Sequence, residues 1–202
     1  MFIIPKREIN GNRLKIISDK FEWLISIPAK KTLEHLIIGM FENQVMKIYD
    51  KHSEARFYIN TIEAVPVPKF RTRAFFKTLS PVVLSKWDVR NGKETEKYLN
   101  PSDPDYFNFF KRNLLEKYIT YTKYFYNEFI PVTDTSISNL KILTEAKSKL
   151  ITIKEGLKDE TKVKAYMYGF ELEAESDLLR FAYEAGVGKL NSLGFGFVRI
   201  GR

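Results

Sequence analysis

Two helical stripes set between strand-like runs constrain this chain more than any other feature. The longer begins where Asp103 and Pro104 supply an N-cap and a first-turn proline, and Phe107, Phe110, Leu114 and Tyr118 carry an apolar face toward about Tyr126. The shorter covers 178–185, with Leu178, Leu179, Phe181, Ala182 and Ala185 apolar, Ser176 or Asp177 as its cap, and Gly186 where a left-handed C-cap belongs. Runs at 73–85, 137–154, 163–173 and 195–200 read as strands, and 88–96 as a charged turn region. The order β-α-β-β-α-β is the split βαβ, or ferredoxin-like, plan.

The first third repeats part of that plan. Residues 14–17 and 21–27 read as two strands closed by Pro28. Leu33, Leu36, Ile37, Met40 and Phe41 mark one face of a helix over 29–43. Strands at 45–49 and 57–65 flank the polar stretch 50–54. This β-β-α-β order lacks the opening strand and helix. Pro66-Val67-Pro68 denies backbone donors to either regular structure, which makes it the natural linker. The expectation is an α+β protein of tandem ferredoxin-like folds, the first incomplete at its N-terminus, with units at 1–68 and 69–202.

Composition narrows the function. Sixteen Phe and 11 Tyr can fill a core, and no run approaches the roughly 20 apolar residues of a membrane span. A formal net charge of +8 favours an anionic partner such as nucleic acid. Without cysteine there is no disulfide, thiol nucleophile or thiolate zinc site, and the first residues lack the plan of a secretory signal. A cytoplasmic location away from membranes is the default expectation.

The segment 186–198 places Gly186, Gly188, Gly194 and Gly196 within eleven residues. It follows a helix and precedes a strand, the reverse of a Rossmann fingerprint, and Leu190 after Gly188-Lys189 breaks the P-loop pattern. Two readings fit it. Glycine amides with Lys189, Asn191 and Ser192 can cradle a phosphate, or the glycines allow a helix end to run into a tightly packed strand.

This loop, ending Asn191-Ser192-Leu193-Gly194-Phe195-Gly196-Phe197-Val198, resembles the signature of the CRISPR repeat-processing endoribonuclease family of RAMP proteins. Three segments agree in order: Ile4-Pro5-Lys6-Arg7-Glu8, Phe76-Lys77-Thr78-Leu79-Ser80-Pro81-Val82 and Lys149-Leu150-Ile151-Thr152-Ile153-Lys154. The resemblance implies tandem ferredoxin-like folds, binding of CRISPR repeat RNA, and metal-independent cleavage of the precursor transcript without a cofactor. It admits other CRISPR effector subunits or a second copy of the chain as further partners. Members of that family carry an opening strand and helix before the segment matching Ile4 to Glu8, with the acid/base histidine in or just after that helix. The present sequence starts after that point, so the resemblance implies a truncated or naturally short member.

The remaining chemistry is sparse. Histidine suits metal-free RNA cleavage because its pKa of about 6.5 serves both proton roles. The two histidines are His35, on the polar side of its helix, and His52, in the charged loop. Neither corresponds to the family's catalytic histidine, so the catalytic residue is unassigned. No His pair has metal-ligand spacing, and no Ser sits in a nucleophile elbow. Candidate RNA contacts are better defined. Lys69, Arg71, Arg73 and Lys77 interleave with Phe70, Phe75 and Phe76, and Lys147, Lys149 and Lys154 fall near period two on a strand. The alternative is that the Phe residues face the core and the Lys residues are merely solvated. Tyr121, Tyr124 and Tyr126 are a candidate partner surface or further core.

Overall fold

The computed structural model describes residues 1–11, 13–49, 53–90, 92–127 and 131–201, without the side chains of Arg90 and Lys93. Contacts divide it into two units, residues 1–26 with 70–202, and residues 27–69.

The chain opens with strands β1 (Phe2–Ile3), β2 (Arg7–Asn10), β3 (Arg13–Ile16) and β4 (Glu22–Trp23). β2 and β3 form a hairpin, and β1 pairs with β4. Of the strand expected over 21–27, only Glu22 and Trp23 pair, because β1 offers just two partners. The smaller unit holds helix α1 (Lys30–Asn43) and the hairpin of β5 (Val45–Tyr49) and β6 (Glu54–Tyr58). β6 ends where Tyr58 meets Val45, the first residue of its partner, so the strand expected over 57–65 does not form.

The larger unit continues with β7 (Arg73–Thr78), β8 (Ser85–Arg90), β9 (Lys93–Tyr98), α2 (Tyr106–Tyr126), β10 (Ile137–Ile142), β11 (Lys147–Ile153), β12 (Thr161–Met167), β13 (Gly169–Ala174), α3 (Ser176–Ala185) and β14 (Val198–Ile200). An antiparallel sheet of order β10-β13-β7-β14 is the ferredoxin-like arrangement of the β-α-β-β-α-β plan. The fold class is therefore α+β, as the periodicities predict. Hairpins β8–β9 and β11–β12 are insertions into that plan.

These insertions account for the differences from the sequence reading. Residues 88–96 are not a turn region but most of the β8–β9 hairpin, signalled by the dipeptide Asn91-Gly92. The single strands expected over 137–154 and 163–173 are each two. The chain leaves its β11–β12 pairing at Met167 and joins the main sheet at Gly169. Helix α2 begins at Tyr106 rather than beside Asp103, whose carboxylate instead accepts the Asn100 N–H at 2.8 Å.

Ala74, Phe76 and Thr78 on β7, and Phe170, Leu172 and Ala174 on β13, are buried on one sheet face in a core that includes Phe110 and Leu114 of α2 and Leu178 and Phe181 of α3. Each large apolar side chain removed from water there contributes roughly 1.5–3 kcal/mol. The opposite face stays open and carries Arg73, Phe75 and Lys77.

Candidate nucleic-acid interface

The glycine loop leaves α3 at Gly186, forms a short 3-10 turn over Asn191–Leu193 and enters β14. Its backbone is committed to the protein. The N–H groups of Val187, Lys189, Gly194 and Gly196 donate to the carbonyls of Gly196, Val83, Asn191 and Pro81 at 2.8–2.9 Å. These four amides are thus occupied, and the loop is a fixed shape that presents side chains. Gly186 ends α3 at φ 78°, ψ 169°, outside the left-handed helical region expected of it. Gly188 is buried, and a Cβ there would lie 2.6 Å from the Val83 carbonyl oxygen, so close backbone approach excludes any side chain.

Lys117, which sequence reasoning did not single out, binds the loop from below. Its ammonium donates to the carbonyls of Gly186 (2.8 Å) and Gly188 (3.1 Å) and to Asn191 Oδ1 (2.9 Å). Burial pushes this ammonium down to about 7. The Asn191 amide in turn donates to the carbonyls of Val187 and Phe195 at 3.1 and 3.0 Å, so Asn191 is the internal hub of the loop and not an outward contact. A signal existed: Lys117 follows Phe110 and Leu114 on a stripe that continues to Tyr121, a cation on a core-facing row.

Lys189 projects from the loop toward the β8–β9 hairpin. Its ammonium donates to Ser85 Oγ at 2.6 Å and lies 3.8 Å from Glu96 Oε1, and the Ser85 hydroxyl donates to the same carboxylate at 2.5 Å. Ser192 is exposed at the outer edge of the 3-10 turn beside Gly194.

The other cations sort by what they touch. Lys147 and Lys149 lie exposed on β11, two residues apart and so on one strand face. Lys154 does not share it. It sits past the end of β11 with φ 55° and pairs with Asp159, whose carboxyl it holds below the usual range. Arg73 is tied to Glu173 at 2.7 Å and lies 3.9 Å from Glu171. Arg71 is exposed in the segment leading into β7.

Of the interleaved aromatics, Phe76 is buried and stacks with Phe70, whereas Phe75 faces outward and is 44% exposed. Beside it on the open face, Lys77 stands in register with Arg199 of β14. This aromatic flanked by two cations is suited to stack a base and hold phosphate. Arg199 was legible only as an alternating polar position in the last strand.

His35 lies on the exposed side of α1, and His52 falls outside the described residues. Tyr121 packs against Phe181 with ring centroids 5.1 Å apart, leaving Tyr124, Phe125 and Tyr126 as the exposed aromatics of the α2 end. No helix among the described residues is long and apolar enough to cross a membrane.

The family described as "CRISPR associated protein Cas6, C-terminal" matches residues 64–200. A CRISPR-associated endoribonuclease Cas6 of Pyrococcus furiosus is 30% identical over 167 residues, covering 83% of this chain and 55% of that protein. A second Cas6 endoribonuclease, from Methanocaldococcus jannaschii, is 26% identical over 196 residues, covering 96% of this chain and 69% of its own length. A solved structure of a CRISPR associated protein Cas6 superposes with a TM-score of 0.76 at 25% identity, covering 100% of this chain and 77% of that one. The chain thus spans little more than half of the Pyrococcus relative.

Proposed function

The chain belongs to the Cas6 family of CRISPR-associated proteins, and on that premise we propose that it binds CRISPR repeat RNA and acts in cutting the precursor transcript into guide RNAs. The family match over 64–200 carries this reading, because it takes in β7 to β14 and the whole glycine loop. The relatives named as endoribonucleases and the basic open sheet face support it.

Cleavage in this reading is attack of a ribose 2′-hydroxyl on the adjacent phosphate. It requires a proton acceptor at that hydroxyl, a donor at the leaving 5′-oxygen and positive charge near the phosphorane. Lys77, Arg199, Lys147 and Lys149 hold backbone phosphates, Phe75 stacks a base, and the glycine loop fixes the position of Lys189. His35, on the exposed side of α1, takes no part in proton transfer. A cytoplasmic site of action belongs to the same reading. So does a protein partner, another CRISPR effector subunit or a second copy, on the exposed aromatics at the α2 end.

The test is incubation of the purified chain with repeat RNA in EDTA. Binding with little or no cleavage is expected, and any specific cut should be abolished by a 2′-deoxy substitution at the scissile nucleotide that spares binding. Tight binding with no cut would assign the chain to a non-cleaving RNA-binding subunit. Failure to bind would favour a protein interaction module with a structural glycine loop.

A further inference from the structure

A cleft of about 440 Å³ opens between β8, the adjacent face of α2 and the glycine loop. Its volume is that of a small-ligand site. Trp87 lines it from β8, Phe109, Arg112, Asn113 and Glu116 from α2, and Lys189 from the loop. The α2 residues recur at i, i+3, i+4 and i+7, so one stripe of the helix forms a wall.

Two observations point to a ligand. Trp87 is 69% exposed, an indole offered to solvent beside Val89, which is itself 66% exposed on the same strand face. Leaving so large an apolar side chain uncovered forgoes the stabilisation that burial gives, and its flat face suits stacking. Separately, the Asn113 side-chain oxygen is shielded from solvent and receives no hydrogen bond from the protein. An acceptor in that state costs about 1–3 kcal/mol until a donor reaches it. Around this pair the Arg112 guanidinium lies 4.8 Å from the Phe109 ring centroid and 3.7 Å from the Glu116 carboxylate, fixed over an aromatic wall.

Resting on the proposed RNA-binding function, we propose that this cleft holds one unstacked adenine of the bound RNA, laid on the Trp87 indole with its exocyclic amine donating to the Asn113 oxygen. An Asn amide pairs with adenine through N6 and N7, whereas guanine presents the acceptor O6 where adenine has its amine. Arg112 and Lys189, each held near a carboxylate (Glu116 at 3.7 Å and Glu96 at 3.8 Å), line the same cleft.

The sequence contains two tryptophans, so Trp23→Phe leaves Trp87 as the one emitter. In that protein, repeat RNA and six-nucleotide oligo(A) should quench Trp87 emission, and oligo(U) should do so weakly. Trp87→Ala should lower affinity for repeat RNA by about 5- to 100-fold, with Trp87→Phe recovering most of it, as expected for loss of one base stack. Asn113→Ala should narrow the preference for oligo(A) over the same hexamer carrying guanine at its central positions about tenfold. Because Trp87 is exposed, its variants should fold, which circular dichroism checks. If repeat RNA binds while Trp87 emission and Trp87→Ala affinity stay unchanged, the cleft proposal is wrong and the RNA-binding function stands. If the parent chain binds no RNA, both fall.

Discussion

The Lys117 ammonium donates a 2.9 Å hydrogen bond to Asn191 Oδ1, 74 residues away, and this pair joins helix α2 to the glycine loop. Asn191 extends the link by closing two further carbonyls of the loop, and Lys117 closes two more. Loop shape, and with it the position of Lys189, depends on a half-buried cation outside the loop.

Lys117→Met should therefore destabilise the protein by about 3 kcal/mol, since three partly buried acceptors lose their donor at once. Urea denaturation measures this, and a loss below about 0.5 kcal/mol would mean that the loop holds its shape without the lysine.

The same residue sets a pH dependence. Its folded-state pKa is lowered from 10.5 to about 7, so between those values the unfolded chain binds a proton that the folded chain has released. Stability then rises with pH across that window, by up to roughly 1.4 kcal/mol per unit. The difference between wild type and Lys117→Met from pH 7 to 10 isolates the effect. A flat difference would show that the three oxygens keep the ammonium charged against desolvation.

Two loop glycines should respond differently to alanine. Gly188→Ala forces a Cβ to within 2.6 Å of the Val83 carbonyl oxygen and should cost more than about 3 kcal/mol or prevent folding. Gly194 has open space around it and φ 87°, so Gly194→Ala should cost only the backbone strain of about 1–2 kcal/mol. Thermal melts distinguish them, and equal losses would contradict the packing argument.

Two lysines should separate in RNA titrations. Lys149→Ala should reduce the magnitude of the slope of log affinity against log salt by about 1, the loss of one phosphate contact. Lys154→Ala should change it less, because Lys154 is already paired with Asp159. The reverse order would place the β11–β12 turn, rather than the strand, against RNA.

His35→Ala should leave any cleavage rate within about threefold of wild type, whereas loss of a general acid or base typically costs about 10² to 10⁴. A drop of that size in single-turnover cleavage would make His35 a catalytic residue.

The sequence alone determined the α+β class, the plan of the larger unit and the three helices. Their signals are local: apolar residues repeat at the helical period in 106–126 and 176–185, and a buried stripe needs no distant partner to be recognised. The glycine loop and its family resemblance were equally legible, since they lie in thirteen consecutive residues. Tertiary structure alone decided which basic residues remain outward. Arg73 and Lys154 carry the same charge as Lys77 and Lys149, but carboxylates brought near by strand register and a turn engage them. It also decided that the loop amides donate to Val83 and Pro81, and that Lys117 meets Asn191. Those contacts join residues about 70 to 115 positions apart, and pairings over such separations follow from how the sheet and helices pack, which no local period encodes.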